Sequence, residues 1–300
     1  MKHWFCALAL WVTALAAMPT VASATQTGFL DRTIRLHGVE YRYQLYVPRA
    51  FDPALRWPVI LALHGGGTLG TNGIQPTSGG LAEAIRQFPD RYPAIVVFPH
   101  AHDDGFPVWQ GPNGEAALIE LDRAVREFSG DRNRVYLTGL SAGGNGAWYL
   151  AWRNPTRFAA ALMICSWVRA FHGPTNGKDY PAIAPAAEGD VYAAVARRLA
   201  PMPVWLVHGD ADPIIDVGES RRLYAAFKSA GADVHLTELP GVGHSAWDAA
   251  YRNVEIATWL FAQRRSQDIS RIGKPSGAGG TRVNGARAVN EPARGSRHRP

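Results

Sequence analysis

The chain has 300 residues, of which 47% are hydrophobic and 19% are charged. It can therefore bury a core, which excludes a chain that is disordered throughout, and its two cysteines are too few for a disulfide scaffold or a four-ligand zinc module. The formal net charge of +6 lies at the ends: residues 266–300 carry seven Lys or Arg against two acids, and residues 1–24 carry only Lys2. The body between them is neutral, so we expect no nucleic-acid partner.

Residues 1–24 have the pattern of a secretory signal peptide. Lys2 precedes an almost wholly apolar stretch over 4–18, and an Ala-Ser-Ala cleavage pattern ends at Ala24. We expect cleavage after Ala24 and a secreted or periplasmic protein. The stretch is short for an uncleaved anchor, and no later apolar run has membrane-spanning length, so we expect no integral membrane association.

Between the ends, residues 25–265 alternate between short apolar runs and stretches with helical periodicity. This alternation is typical of an α/β fold, a mostly parallel central sheet with helices on both faces. Two runs near the start, 34–36 and 41–47, predict an antiparallel hairpin at the edge of the sheet. The remaining strands are predicted at 59–63, 95–98, 135–138, 160–164, 204–207 and 234–239, and the helices at 80–88, 114–128, 145–153, 219–230 and 248–264.

Two segments depart from this alternation. Residues 168–198 contain several prolines and glycines and one short helical piece, and an insertion of this length predicts a lid or a binding loop. Residues 266–300 are rich in Gly, Ser, Pro and Arg without apolar periodicity, so we expect a disordered basic tail. Such a tail is either a solvated extension or a contact for anionic polymers and membrane surfaces, and the composition favours the first.

A candidate nucleophile lies where the strand at 135–138 meets the helix at 145–153. The motif Gly-Leu-Ser-Ala-Gly over 139–143 places Ser141 on a tight strand-to-helix turn, the G-x-S-x-G arrangement of nucleophilic serines. The glycines leave room for a strained backbone, and the helix N-terminus supplies positive potential where an oxyanion would form. Strand, turn and helix agree, so a chance glycine-rich turn is the weaker interpretation.

Such a serine requires an acid and then a histidine further along the chain. His244 lies in a glycine-rich loop after the last predicted strand, which suits a base that moves a proton between nucleophile and leaving group. The acid is expected after the strand at 204–207, where Asp210, Asp212 and Asp216 are candidates. We select Asp212, because Asp210 lies in a tight turn and Asp216 is placed to begin or cap the next helix.

The oxyanion hole of such a site needs two backbone donors. One is expected from Ala142, the residue after the nucleophile, and the other from the glycines that follow His64. Gly66 is our choice, with Gly65 and Gly67 as alternatives, and His64 is interpreted as a structural histidine.

This constellation requires no cofactor, and the chain has no phosphate-binding loop or dinucleotide motif. The sequence His-Ala-His-Asp-Asp over 100–104 resembles part of a metal-ligand run. It lacks the closing histidine, so no metal site is predicted.

The motifs together resemble those of the secreted α/β-hydrolase serine esterases, in the group that contains feruloyl esterases, polyhydroxybutyrate depolymerase-like enzymes and predicted peptidases. The resemblance covers about residues 41–264 and rests on the glycine runs described above and on Trp-Gln-Gly-Pro at 109–112. It implies the α/β-hydrolase fold, with a triad and an oxyanion hole formed by Ser141, Asp212, His244, Gly66 and Ala142.

The resemblance also implies a secreted carboxylic-ester hydrolase acting through an acyl-enzyme. Its expected substrates are feruloyl or short-acyl esters, either small molecules or esters linked to a polysaccharide or polyester. A polyhydroxyalkanoate-type depolymerase and a small serine peptidase remain alternatives, as does a non-catalytic binding protein on the same scaffold. Trp109, Trp167 and Trp247 lie near the candidate catalytic loops and are expected to line an apolar or aromatic substrate pocket. Ordinary packing in the core is the alternative for each of them.

Overall fold

The computed structural model describes residues 26–174 and 177–265. The predicted signal peptide and the predicted basic tail lie outside these described residues. None of the helices in the two ranges has the length and apolarity needed to cross a membrane. The strands are β1 (Gly28–Leu36), β2 (Val39–Val47), β3 (Val59–Leu63), β4 (Ile95–Pro99), β5 (Val135–Leu140), β6 (Ala160–Ile164), β7 (Phe171–His172), β8 (Asp179–Tyr180), β9 (Val204–Gly209) and β10 (Val234–Leu239). The helices are α1 (Gly80–Gln87), α2 (Pro112–Glu127), α3 (Ala142–Arg153), α4 (Val191–Leu199), α5 (Gly218–Ser229), α6 (Trp247–Arg252) and α7 (Val254–Ala262).

One sheet of eight strands has the order β1-β2-β4-β3-β5-β6-β9-β10. The β1–β2 and β2–β4 pairs are antiparallel and the other pairs are parallel. The β1–β2 turn consists of His37 and Gly38, both with positive φ, at 49° and 81°. This backbone geometry matches the twist of the two strands and joins them tightly. The predicted mostly parallel sheet with an antiparallel edge hairpin is confirmed.

Helices cover both faces of this sheet. Along β3, Val59, Leu61 and Leu63 belong to a core that also contains side chains of α2, α3, α4 and α5. Ile60 and Ala62 belong to a second core, shared with α1, α6 and α7. Successive side chains of a strand lie on opposite faces, so an unbroken buried apolar run such as β3 indicates a strand covered on both sides.

The C-terminal helix differs from the prediction. Instead of one helix over 248–264, the structure has α6 and α7, separated at Asn253. Asn253 has extended backbone, and its Oδ1 accepts hydrogen bonds from the amides of Glu255 and Ile256 at 2.8 and 3.2 Å. A side chain that caps a new helix in this way begins it at that residue, which apolar periodicity alone does not reveal.

The predicted insertion at 168–198 contains an antiparallel hairpin, β7 and β8, and most of α4. Phe171 pairs with Tyr180 across the hairpin. Ile183 N donates to Val168 O at 2.8 Å, which ties the segment to the chain that leaves β6. The segment borders the pocket described below, and its role as a lid stays a prediction.

Candidate active site

Ser141 occupies the turn between β5 and α3 with φ 54° and ψ −123°. A positive φ is unfavourable for a residue with a side chain, so the surrounding structure must impose it. Ser141 N donates to Ile164 O at 2.9 Å, and Ser141 O accepts from Asn145 N at 3.0 Å. A Cβ on Gly139 would collide with Gly143 O, so glycine is required for the strand and helix to approach this closely.

The candidate base reaches this serine from the loop after β10. His244 Nε2 lies 2.8 Å from Ser141 Oγ, and His244 Nδ1 lies 2.7 Å from Asp212 Oδ2. The neutral imidazole with its proton on Nδ1 fits both contacts, since Nδ1–H donates to the carboxylate and Nε2 accepts from the hydroxyl. The structure therefore brings the three predicted side chains into one hydrogen-bonded chain.

The two acids that we did not select have other partners. Asp210 Oδ1 accepts from Gly241 N at 2.7 Å, so this side chain supports the loop that carries His244 as well as its own turn. Asp216 lies just before Val217, the N-cap of α5, and its Oδ1 accepts from Gly218 N at the start of that helix at 2.9 Å.

The side chain of Asp212 is buried, and hydrogen-bond donors surround its carboxylate. Oδ1 accepts from the amides of Ile214 and Ile215 at 2.8 and 3.0 Å, and Oδ2 faces the rings of His244 and His208 at 2.7 and 3.3 Å. Burial alone would raise the pKa of Asp212, but these hydrogen bonds outweigh burial and hold the pKa well below its ordinary value. The group is a carboxylate at neutral pH, suited to orient His244 and to stabilise its protonated form.

His208 is a residue of this site that sequence reasoning missed. It is buried at the end of β9, and its Nε2 lies 2.9 Å from Ile215 O and 3.3 Å from Asp212 Oδ2. Its Nδ1 lies 2.7 Å from Ser220 Oγ. With the proton on Nε2, the ring donates toward Ile215 and Asp212 and accepts from the Ser220 hydroxyl. The available signal was its place at the end of a strand, four residues before the selected acid.

Cys165, His208 and Asp212 offer metal-ligating atoms within 4.8 Å of one another. Within the described ranges, this is the group of three or more such side chains that lie close enough to share a metal ion. Burial raises the pKa of the Cys165 thiol to about 12, whereas a metal would need the thiolate. The thiol donates instead to His244 O at 3.3 Å. We interpret the group as hydrogen-bonded support for the acid and for the histidine loop, not as a metal centre.

The histidines of the 100–104 run have separate partners. His100 Nε2–H donates to Thr68 O at 2.8 Å, and its Nδ1 accepts from Gly73 N at 3.0 Å. The ring of His102 stacks on Tyr41 with centroids 4.4 Å apart. Within the described part of the chain these histidines belong to no group of three metal-ligating side chains.

The glycines after β3 lie beside the candidate serine. Gly65, Gly66 and Gly67 line the same pocket as Ser141 and Ala142, and Gly66 begins a short 3-10 turn. Ala142 is the first residue of α3, where backbone amides have no partner within the helix. Both segments thus present backbone amides in the neighbourhood of Ser141.

His64 supports this glycine run. Its Nδ1–H donates to Gly65 O at 2.8 Å, and its Nε2 accepts from Ala101 N at 3.0 Å. Burial lowers the pKa of His64 to about 3, so the buried ring is neutral at physiological pH. It has the structural role expected from the sequence.

A pocket of about 330 Å³ opens beside Ser141 and His244. Trp167 and Trp247 line it as expected, and the ring of Trp247 meets His244 edge to face with centroids 5.6 Å apart. The wall is mostly apolar, with the large side chains Trp167, Phe171, Tyr180, Ile214, Ile215 and Trp247.

Trp109, in contrast to the expectation from the sequence, is not among the residues that line this pocket. Its side chain is 1% exposed, packs against α3 where a Cβ on Gly146 would collide with it, and donates Nε1–H to His64 O at 2.9 Å. It is a core residue behind the glycine run. Closeness to a catalytic loop in the sequence does not determine the side to which an indole turns.

This chain is similar to known proteins in both sequence and structure. Residues 118–264 match the prolyl oligopeptidase family. An uncharacterized secreted protein of Arthroderma benhamiae is 23% identical over 218 residues, which cover 64% of this chain and 22% of that protein. The crystal structure of a thermostable esterase is 27% identical with a TM-score of 0.66 and covers 79% of this chain and 63% of its own. A ferulic acid esterase is 20% identical with a TM-score of 0.58 and covers 79% of this chain and 99% of its own.

The chain thus spans 22% of the length of the curated relative and 63% of the thermostable esterase. The sheet topology and the solved structures show that it has the α/β-hydrolase fold. The family match and the structural neighbours support a place in the α/β-hydrolase group of serine esterases and peptidases.

Proposed function

We propose that this chain is a secreted serine hydrolase of carboxylic esters, which acts through an acyl-enzyme on Ser141. The observation that carries the proposal is the hydrogen-bonded chain from Asp212 through His244 to Ser141 beside an apolar pocket. The family match and the esterases among the structural neighbours support the serine hydrolase chemistry.

In the proposed mechanism, Ser141 Oγ attacks the ester carbonyl while His244 Nε2 takes the hydroxyl proton. Asp212 stabilises the resulting imidazolium. The amides of Gly66 and Ala142 donate to the oxyanion, and loss of one such donor typically costs about 2.7–4 kcal/mol. The bond to the leaving oxygen then breaks, and His244 gives its proton to the departing alcohol. In the second half, His244 deprotonates a water that attacks the acyl-enzyme, which releases the acid and restores Ser141.

Feruloyl or short-acyl esters are the proposed substrates. The aromatic and aliphatic wall of the pocket suits a flat ring or a short apolar chain. A structural neighbour is a ferulic acid esterase, which supports the first of these at the level of fold. Export of the chain, supported by the signal-peptide pattern of residues 1–24 and by a relative called secreted, would give it access to esters attached to polymers.

The second candidate is a small serine peptidase, which the prolyl oligopeptidase match favours. Ester and amide hydrolysis use the same nucleophile, base and oxyanion donors and differ in the leaving group that His244 must protonate. Substrate preference therefore separates the two candidates.

The test is a substrate panel on the chain from Thr25 onwards, run beside Ser141→Ala and a control, Ser229→Ala, at an exposed serine at the end of α5. The panel contains p-nitrophenyl acetate and butyrate, methyl ferulate, a hydroxybutyrate oligomer and a chromogenic peptide. We expect ester turnover that Ser229→Ala retains and that Ser141→Ala lowers by about 10⁴-fold or more. Turnover that survives in Ser141→Ala would refute the mechanism, and turnover of the peptide alone would establish the peptidase.

A further inference from the structure

One residue that lines the pocket carries a hydrogen-bond donor that the fold leaves without a partner. Trp167 is 2% exposed and is among the residues that line the pocket. Its Nε1 is buried and meets no acceptor among the described residues. Burying an N–H without an acceptor is unfavourable, so native structures contain few such groups and each calls for a physical reason.

Other buried indoles of this chain do find acceptors. Trp109 Nε1–H donates to His64 O at 2.9 Å, Trp148 Nε1–H donates to Ser166 Oγ at 3.1 Å, and Trp205 Nε1–H donates to Thr237 Oγ1 at 2.9 Å. These three indoles thus have partners within the fold. Trp167 differs from them because its N–H is unpaired and because the residue lines the pocket beside Ser141.

Its neighbours fix the position of this indole. The ring centroids of Phe171 and Tyr180 lie 4.8 and 5.1 Å from that of Trp167. Trp167 O accepts from Asn145 Nδ2 at 3.2 Å, and Asn145 lies on α3 in the first turn after Ser141. The donor is thus anchored to the helix that carries the candidate nucleophile, as a specificity group should be.

We propose that Trp167 Nε1–H donates to a substrate oxygen other than the scissile carbonyl, so that the site selects esters with a second oxygen acceptor. The proposal rests on the ester hydrolase function above. A hydrocarbon substituent would fill the apolar wall equally well but would leave the N–H unpaired, and sites with such a donor reject analogues that lack the acceptor. The acceptor is an ether or hydroxyl oxygen, carried either by the acyl group or by the alcohol.

Two pairs of esters of nearly equal shape test this preference and separate its two sources. Methyl 4-methoxycinnamate and methyl 4-ethylcinnamate differ by an oxygen in the acyl group. The 2-methoxyethyl and butyl esters of acetic acid differ by an oxygen in the alcohol. We expect the wild type to prefer the oxygen-bearing member of one pair by about tenfold in kcat/KM, the scale of one hydrogen bond.

The diagnostic variant is Trp167→Phe, which keeps an aromatic wall and removes the N–H. We expect the ratio within the preferred pair to fall to about one, while Tm changes little because an unpaired group has been removed. The matched control is Trp259→Phe. Trp259 Nε1 is also buried and unpaired, but this residue of α7 packs against Trp205 and His235 and does not line the pocket.

The inference is overturned if the wild-type ratios are near one in both pairs, or if the preference persists in Trp167→Phe. It is also overturned if Trp167→Phe lowers both members of a pair equally, because the indole is then only a wall. Failure of the ester hydrolase function has a different signature: folded wild type would hydrolyse none of the four esters, and Ser141→Ala would match it, which overturns both proposals.

Discussion

At the scale of single residues, two imidazoles share one carboxylate. His244 and His208 both face Asp212 Oδ2, at 2.7 and 3.3 Å, and only His244 also contacts Ser141. Ser220 Oγ lies 2.7 Å from Nδ1 of His208, and Ile215 O lies 2.9 Å from the same Nε2 that faces Asp212. His208 therefore acts through Asp212 as a positioning residue, since it restricts the carboxylate to the orientation that His244 requires.

We predict that His208→Gln lowers kcat for p-nitrophenyl acetate by about tenfold to hundredfold and changes KM less than twofold. This loss in kcat corresponds to the removal of one hydrogen bond to a charged group. KM changes little because the bond supports the transition state and does not contact the substrate. The control is His235→Gln, at a half-exposed histidine that stacks on Trp205. Steady-state kinetics below the melting temperatures of both variants measure kcat and KM. Equal kcat values in the two variants would refute a positioning role.

At the scale of elements, the buried strands could be predicted best. The predictions 59–63 and 160–164 coincide with the buried strands β3 and β6. A strand that is covered by helices on both faces has a continuously apolar sequence, and such a run can be recognised without the structure. At the edge of the sheet, β1 begins at Gly28, whereas the sequence predicted its start at residue 34. The prediction missed the first residues because they are partly exposed and polar side chains interrupt the apolar pattern.

In the candidate site, too, only residues that leave a pattern in the sequence could be predicted. Ser141 and His244 could be found because the chain needs glycines around them, and such glycines leave a visible motif. His208 and Cys165 are buried beside Asp212. A buried polar residue of this kind requires no particular residue types near it in the sequence, so no motif marks it. The position of Trp109 likewise depended on tertiary packing, which sequence position does not determine.

The loop after β3 gives a prediction on pH. The pKa of His64 is lowered to about 3 by burial, against about 6.5 in the unfolded chain, so below pH 6.5 the unfolded state binds a proton that the folded state does not. Folding stability therefore falls as pH falls through this window. Between pH 7 and pH 4 we expect wild type to lose about 3 kcal/mol more unfolding free energy than His64→Gln.

Urea denaturation at several pH values measures this difference, because groups that titrate in both proteins cancel. His172→Gln is the control, the same substitution at a histidine whose imidazole is 67% exposed. Parallel curves for wild type and His64→Gln would show that the ring does not remain neutral beside the glycine run.

At the scale of the whole molecule, the last described residues are joined to the body of the fold. Arg265 N donates to Asn133 O at 2.8 Å, and Tyr136 Oη–H donates to Gln263 O at 2.8 Å. Arg264 lies 3.3 Å from Asp131, although an exposed pair of this kind contributes little. The segment after α7 thus closes over the N-terminal end of β5, opposite the end of that strand that carries Ser141.

These contacts predict where the chain can be shortened. A chain that ends at Arg265 keeps them, so we expect its Tm and its kcat to equal those of the full chain and the predicted basic tail to be dispensable for catalysis. A chain that ends at Ala262 loses both hydrogen bonds, about 1 kcal/mol each, which for a body of this size lowers Tm by about 4–8 °C. Because the lost contacts lie at the other end of β5, its kcat below the melting temperature should be unchanged. Thermal melting and ester turnover on the two truncated chains test both statements, and a lower kcat in the chain that ends at Arg265 would assign the tail a part in catalysis.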